Sequence, residues 1–151
     1  MNLNEVIGEV IEITRGQAEK GAVAIHLDML ADLPAVNGDR VELQQVVLNL
    51  MMNALEAMSG TGAGPRELLI RTRCDEAGQV WVSVSDSGPG FGSQSSEHLF
   101  TPFYTTKPSG LGMGLAICRS TIEVHGGQLW ACANQPCGAV VQFVLPAEEQ
   151  L

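Results

Sequence analysis

Residues 79–92, QVWVSVSDSGPGFG, join a strand pattern directly to a glycine-rich turn and decide how the chain folds. The valines at alternate positions of this run share their parity with Asp86, so a strand places all of these side chains on one face. Burial suits the valines, whereas a buried carboxylate costs free energy unless it has a partner. Asp86 therefore has one of two roles. Its side chain hydrogen-bonds to nearby backbone in a turn, as is common where Asp and Pro-Gly occur, or it binds a buried partner.

Length and composition predict one globular domain over residues 1–151. The chain has 151 residues, of which 45% are hydrophobic, and this is enough to form a single core. It contains no run of about 18 uninterrupted apolar residues, so we expect no membrane-spanning helix and no membrane contact. No signal sequence opens the chain, and we therefore expect a cytoplasmic domain.

Charge and cysteine content exclude two further classes of protein. The formal net charge of −9 disfavours a broad nucleic-acid-binding surface, so an anionic ligand would need a local positive site. The cysteines form no C-x-x-C pair, which indicates reduced thiols rather than a metal site. They are Cys74, Cys118, Cys132 and Cys137.

The order of sequence patterns predicts an α+β fold. Helical spacing of apolar residues predicts three helices, at 3–20, 39–58 and 112–125. Period-2 patterns predict five strands, at 22–29, 66–74, 79–86, 127–133 and 139–146. The segment DEAG at 75–78 indicates a hairpin, and Gly126 is the C′ residue of the third helix. This order indicates a two-layer α/β sandwich, in which helices cover one face of a mixed sheet.

A polar stripe runs along the predicted helix at 39–58, where the remaining positions are mostly apolar. Its members recur at steps of three and four residues: Glu42, Gln45, Asn49, Asn53 and Glu56. One interpretation is a solvated face. The other is a pair of amides facing a cleft, where they supply oxygens to Mg²⁺ or donors to phosphate. The helix alone does not decide between them.

A long segment rich in Gly, Ser, Pro and Thr, residues 87–111, separates Asp86 from a glycine-rich helix start. Loops longer than about 12–15 residues in compact domains are usually functional or disordered. Alternate glycines at 110, 112 and 114 allow close approach of backbone N–H groups, and the helix start adds unpaired donors. With Lys107 upstream, this predicts a phosphate site, although a flexible loop has the same pattern. The spacing fits neither the Rossmann nor the Walker fingerprint.

Four motifs in this order resemble the ATP-binding catalytic domain of bacterial sensor histidine kinases. They are NLMMNALEAM, DSGPGFG, LFTPFYTTK and GLGMGLAICRSTIEVHGG. The resemblance covers essentially the whole chain and extends to the superfamily that includes gyrase, Hsp90 and MutL. Within it, the pattern is similar to the PAS-linked oxygen sensors of nitrogen-fixing bacteria. The resemblance implies a Bergerat-type ATP-binding fold with ATP and Mg²⁺ as cofactors.

The resemblance implies an adenine site around Asp86, whose carboxylate accepts a hydrogen bond from the exocyclic amine. Gly88 and Gly90 let the chain turn away from the base, and Phe91 lines the pocket. Many relatives carry a threonine in the last strand that reaches adenine through water. We assign that position to Val140, which implies a drier adenine site.

The resemblance also implies catalytic roles for two amides. Asn53 binds Mg²⁺ between the triphosphate oxygens, and Asn49 occupies the place where hydrolysing relatives carry a glutamate base. An amide cannot accept a proton from water as a carboxylate does, which favours a kinase over an ATPase. Glu56 replaces a lysine that contacts phosphate in many relatives.

The family's ATP lid corresponds to about residues 88–111. The resemblance implies that Phe100 and Phe103 anchor this lid and that Lys107 contacts phosphate. The residues implied to wrap the phosphates are Gly110, Leu111, Gly112, Met113 and Gly114.

None of the three histidines lies in the context of a phosphoacceptor, so we expect His26, His98 and His125 to be structural. The phosphoacceptor hairpin and a sensor domain are therefore expected to lie outside this chain. The implied partners are a histidine-bearing dimerisation domain and a downstream response regulator. Two other functions remain open, a non-catalytic nucleotide-binding regulatory module and a gyrase-like ATPase.

Overall fold

The described part of the chain consists of three helices and five strands. The computed structural model describes residues 1–59, 66–87, 114–133 and 138–148. The helices are α1 (Leu3–Lys20), α2 (Arg40–Ser59) and α3 (Gly114–Val124). The strands are β1 (Ala24–Asp28), β2 (Glu67–Cys74), β3 (Gln79–Asp86), β4 (Gln128–Ala133) and β5 (Ala139–Pro146).

The strands form one mixed sheet in the order β1-β2-β3-β5-β4. β1 and β2 are parallel, whereas the β2–β3, β3–β5 and β4–β5 pairs are antiparallel. β3 is therefore the central strand, with ladder partners on both sides. Asp86 is the last residue of this central strand.

Burial along β3 follows the parity that the sequence predicts. Val80 and Val82 have no exposed surface, Val84 is 2% exposed, and Asp86 is 6% exposed. Burying each of these valines contributes about 1.5–3 kcal/mol relative to leaving it in water. The carboxylate at the end of the run is thus held in line with the core.

The helices pack their apolar faces on the same side of the sheet, which confirms the predicted two-layer α/β sandwich. α1 begins after Asn2, whose side chain accepts a hydrogen bond from the backbone N–H of Asn4. α2 buries residues on several sides: Leu43, Val46, Val47, Leu50, Met51, Ala54, Leu55 and Met58. Among the helices of the described residues, none has the length and apolar character needed to cross a bilayer.

Turn residues set the element boundaries. The hairpin between β2 and β3 contains Gly78 with a φ of 83°, and Gly126 ends α3 with a φ of 85°. The first strand is shorter than the predicted 22–29. Ala22 has a φ of 54°, and the N–H of Val23 still donates to the carbonyl of Ala18, so α1 is closed off before β1 begins.

Candidate functional site

Asp86 lies at a strand end that is tied to its neighbours on three sides. The backbone N–H of Ala139, the first residue of β5, donates to Asp86 Oδ1 at 3.2 Å. The hydroxyl of Ser87 accepts from the N–H of Glu67 at 2.9 Å and donates to the sulfur of Met58 at 3.5 Å. The end of β3 is therefore held by β5, β2 and α2 together.

Gly138 brings the start of β5 into direct contact with the backbone of Asp86. It has a φ of 103°, which L side chains rarely adopt, and a Cβ built on it would lie 1.9 Å from the carbonyl oxygen of Asp86. A side chain at this position would have to displace backbone. Gly138 thus allows the next residue, Ala139, to reach the carboxylate.

The assignment of Val140 to the adenine side is wrong. In the antiparallel β3–β5 ladder Val140 is paired with Ser85, so both side chains lie on the face opposite to that of Asp86. Ala139 is the residue of β5 that lies beside Asp86, and its side chain is also apolar. The error is a shift of one residue, which moves a strand side chain to the other face of a sheet.

The two amides of α2 are half-buried and lie one helical turn apart. Asn49 lies at the middle of α2, and Asn53 lies in the half that ends near Asp86, because Met58 of the same helix contacts Ser87. Asn53 is five residues before Met58, which is about 7–8 Å along a helix axis. The fold therefore brings Asn49, Asn53 and Asp86 to the same helix-covered side of the sheet.

Asn49 has a partner that the sequence did not indicate. Its Nδ2 donates to the sulfur of Cys118, on α3, at 3.7 Å. That thiol in turn donates to the carbonyl oxygen of Val46 at 3.9 Å. Cys118 is 1% exposed, and burial raises the pKa of its thiol to about 11. The thiol therefore stays protonated near neutral pH.

The predicted phosphate-binding segment is described only at its last residue. Gly114 is the first residue of α3, two residues later than the start of the predicted helix, so the unpaired N–H groups of this helix begin there. The other predicted members lie outside the described residues. They are Gly88, Gly90, Phe91, Phe100, Phe103, Lys107, Gly110, Leu111, Gly112 and Met113, with the rest of the lid at 88–111.

Of the two described histidines, His125 makes structural contacts and His26 is largely exposed. His125 Nε2 accepts from the backbone N–H of Asp39 at 3.0 Å, and Nδ1 lies 2.8 Å from the carbonyl oxygen of Thr121. Because Nε2 accepts, Nδ1 carries the proton and donates. His26 lies on β1 with 57% of its side chain exposed and 4.0 Å from Glu67. His98 lies outside the described residues.

The donor set fits a metal ion that arrives with a nucleotide. Within the described ranges, no group of three His, Cys, Asp or Glu side chains could hold a metal ion. The half-buried side chains of Asn49 and Asn53 offer amide oxygens instead, and these are hard ligands. Mg²⁺ is usually held by a few protein oxygens together with substrate phosphates. These residues therefore suit Mg²⁺ bound to a polyphosphate.

Comparison with protein families and known sequences agrees with this geometry. Residues 38–149 match the family described as histidine kinase-, DNA gyrase B-, and HSP90-like ATPase. The chain is 46% identical to the sensor protein FixL of Bradyrhizobium diazoefficiens over 124 residues, or 82% of its length. It is 37% identical to the sensor histidine kinase TmoS of Ectopseudomonas mendocina over 145 residues, or 95% of its length. The chain spans 24% of FixL and 15% of TmoS.

Solved structures share the fold. The catalytic domain of histidine kinase ThkA in a nucleotide-free form superposes with a TM-score of 0.83 and 36% identity, covering 97% of this chain and 93% of that one. ThkA in complex with the response regulator protein TrrA matches with a TM-score of 0.81 and 34% identity, covering 98% of this chain and 41% of that one. The α+β sandwich is therefore the fold of histidine kinase catalytic domains.

Proposed function

Because the chain belongs to the family of histidine kinase-, DNA gyrase B- and HSP90-like ATPases, in its sensor histidine kinase branch, we propose that it binds Mg²⁺–ATP and transfers the γ-phosphoryl group to a histidine on a separate dimerisation domain. The observation that carries this proposal is the buried carboxylate of Asp86 at the end of the central strand. This carboxylate is 6% exposed and one of its oxygens accepts from the N–H of Ala139, so it is a pre-oriented acceptor for a base that binds at this end of the sheet.

Asp86 reads the base in this proposal. A carboxylate only accepts hydrogen bonds, and adenine presents an amine at its six-position. The N–H of Ala139 holds one carboxylate oxygen in place at 3.2 Å, which orients the group before a ligand binds. Guanine presents an oxygen at the same position, so it would set two acceptors against each other. The domain should therefore select ATP over GTP.

The amides of α2 act at the phosphate end. Asn53 and Asn49 would hold Mg²⁺ and the phosphate oxygens, and the ion supplies charge neutralisation of the transferring group when it is bound. Neither amide can take a proton from water, so this part of the site positions ATP without activating a hydrolytic nucleophile. Such transfer depends mainly on positioning and electrostatics. This favours a kinase over a gyrase-like ATPase.

The phosphoacceptor and the later partner belong to other domains or proteins. His125 is engaged with Asp39 and Thr121, and His26 lies on β1, two strands from β3, with 57% of its side chain exposed. We propose that the acceptor histidine lies on a helical hairpin outside this chain and that a response regulator receives the phosphoryl group afterwards. The complex of ThkA with TrrA supports a regulator as the next partner. An ATP-consuming domain of this kind would work in the cytoplasm.

Incubation with γ-labelled ATP, with and without a histidine-bearing hairpin, tests the proposal. We expect an acid-labile label on the hairpin and none on this chain alone, with slow release of phosphate. Nucleotide binding without any label on the hairpin would instead identify a regulatory module. Rapid phosphate release in the absence of the hairpin would favour a gyrase-like ATPase.

A further inference from the structure

The contact between Asn49 and Cys118 joins two helices that pack against each other. Asn49 lies on α2 and Cys118 on α3, and they are 69 residues apart in the sequence. The amide nitrogen is 3.7 Å from the sulfur, within hydrogen-bonding range for this larger atom. The thiol of Cys118 is 1% exposed, and the proposed function gives it no role.

The direction of the hydrogen bonds follows from the single proton of the thiol. Cys118 donates that proton to the carbonyl oxygen of Val46 at 3.9 Å, one turn before Asn49 on the same helix. The sulfur lone pairs then remain for Asn49, so the amide presents its N–H to the sulfur. A neutral thiol does both, because its proton is donated to one group while its sulfur accepts from the other.

Holding the amide nitrogen also fixes the amide oxygen. The two atoms share one planar carbon, so an N–H directed at Cys118 turns Oδ1 away from α3. The last side-chain torsion of asparagine is otherwise broad and roughly two-fold, and an unrestrained amide exchanges its oxygen for its nitrogen by rotating. A flipped Asn49 would present a donor where a cation needs an oxygen.

We propose that Cys118 is a positioning residue that holds the Asn49 amide with its oxygen available to Mg²⁺–ATP. This inference rests on the proposed function, because Asn49 must act on the bound nucleotide for its orientation to matter. Cys118 acts through Asn49 and not on the ligand. It also ties that orientation to α3, the helix that begins at Gly114 directly after the glycine-rich segment.

A double-mutant cycle on Mg²⁺–ATP affinity, measured by calorimetry, separates positioning from packing. We expect Cys118→Ala to weaken binding about threefold to tenfold, the worth of one hydrogen bond, while Cys118→Ser stays within about twofold of wild type. In an Asn49→Ala background, Cys118→Ala should have no further effect, because the group it positions is gone. Cys118→Val keeps about the same side-chain volume but has no hydrogen-bond acceptor, so it should weaken binding as Cys118→Ala does. It serves as the test if the alanine variant is unstable.

The control is Cys132→Ala, the same change at an exposed cysteine of β4, which should leave affinity unchanged. A second readout needs no nucleotide: the side-chain amide resonances of Asn49 should shift in Cys118→Ala and Cys118→Val and much less in Cys118→Ser. The positioning role would be overturned if Cys118→Ala lowered the affinity equally in the wild-type and Asn49→Ala backgrounds. It would also be overturned if the Asn49 resonances did not shift in Cys118→Ala. The wild-type chain could instead fail to bind Mg²⁺–ATP while the Asn49 resonances still shift in Cys118→Ala and Cys118→Val. That result would overturn the proposed function.

Discussion

Gly138 packs its backbone directly against Asp86, so that a Cβ on Gly138 would lie 1.9 Å from the carbonyl oxygen and 3.1 Å from Oδ1 of the aspartate. The same chain segment supplies the N–H of Ala139 to the carboxylate. The candidate adenine site therefore depends on a glycine that makes no contact through a side chain. Gly138 matters because, without a side chain, it lets the start of β5 approach Asp86 closely.

Replacing Gly138 by alanine should weaken ATP binding by about tenfold or more, because the new Cβ forces β5 away from Asp86 and removes the N–H that orients the carboxylate. The matched control is Gly78→Ala. Gly78 also has a positive φ, 83°, but a Cβ there would meet nothing within 4 Å. Both variants should lose stability in urea unfolding, and only Gly138→Ala should lose affinity in calorimetry. Equal affinities for the two variants would contradict the role of Gly138.

Replacing Asn53 by alanine or aspartate should remove Mg²⁺-dependent ATP binding and leave the domain folded. The side chain is half-buried, one turn beyond Asn49, on the helix end that lies beside Asp86. Gln45→Ala, an exposed change on the same helix, is the control and should bind as wild type does. Calorimetric titration with ATP, with and without Mg²⁺, measures the effect. A folded Asn53 variant with wild-type affinity would exclude the metal role.

Replacing His125 by alanine should destabilise the fold by about 0.5–1.5 kcal/mol, because the N–H of Asp39 loses its acceptor. The imidazole is 7% exposed and also packs on Gly38, where a Cβ would lie 2.4 Å from its Cδ2. His26→Ala, at an exposed site, should have little effect on stability. Urea unfolding compares the two. Loss of label transfer to a hairpin by a folded His125 variant, with unchanged stability, would contradict a structural role.

The hairpin between β2 and β3 should respond to acid through Asp75. A hydrogen bond from Trp81 Nε1 at 2.8 Å, and one from the backbone of Gln79, hold the pKa of Asp75 below its ordinary value of 3.8. A depressed pKa in the folded state adds stability above the unfolded pKa, and this is lost as the pH falls through the folded value.

The stability advantage of wild type over Asp75→Asn should therefore be present at pH 7 and shrink below about pH 4. Urea unfolding followed by tryptophan fluorescence measures it, with Glu76→Gln, an exposed neighbour, as the control. A difference that stays constant from pH 7 to pH 3 would show that Asp75 does not contribute through its charge.

Local periodicity accounts for what the sequence predicted correctly. The alternation that ends at Asp86 and the apolar spacing of α1 depend only on residues within one element, and both are confirmed. The helix and strand limits differ from the predictions by at most two residues, since turns and caps adjust the ends. The lid residues lie outside the described part, so their roles stay predictions.

Contacts between distant residues were not predictable in the same way. Asn49 and Cys118 are 69 residues apart, Asp86 and Ala139 are 53 apart, and Asp39 and His125 are 86 apart. Each pair depends on how α2, α3 and β5 meet around the sheet, which no local pattern encodes. The misplacement of Val140 has the same cause, because strand register is set by the partner strand.

The preference of the wild-type chain for ATP over GTP tests most directly whether Asp86 reads an adenine base. We expect calorimetric titration to show tighter binding of Mg²⁺–ATP than of Mg²⁺–GTP by about tenfold or more, or at least about 1.4 kcal/mol. Asp86→Asn should narrow that ratio, because an amide can donate to the oxygen of guanine as well as accept. Equal affinity of the wild-type chain for the two nucleotides would contradict the account.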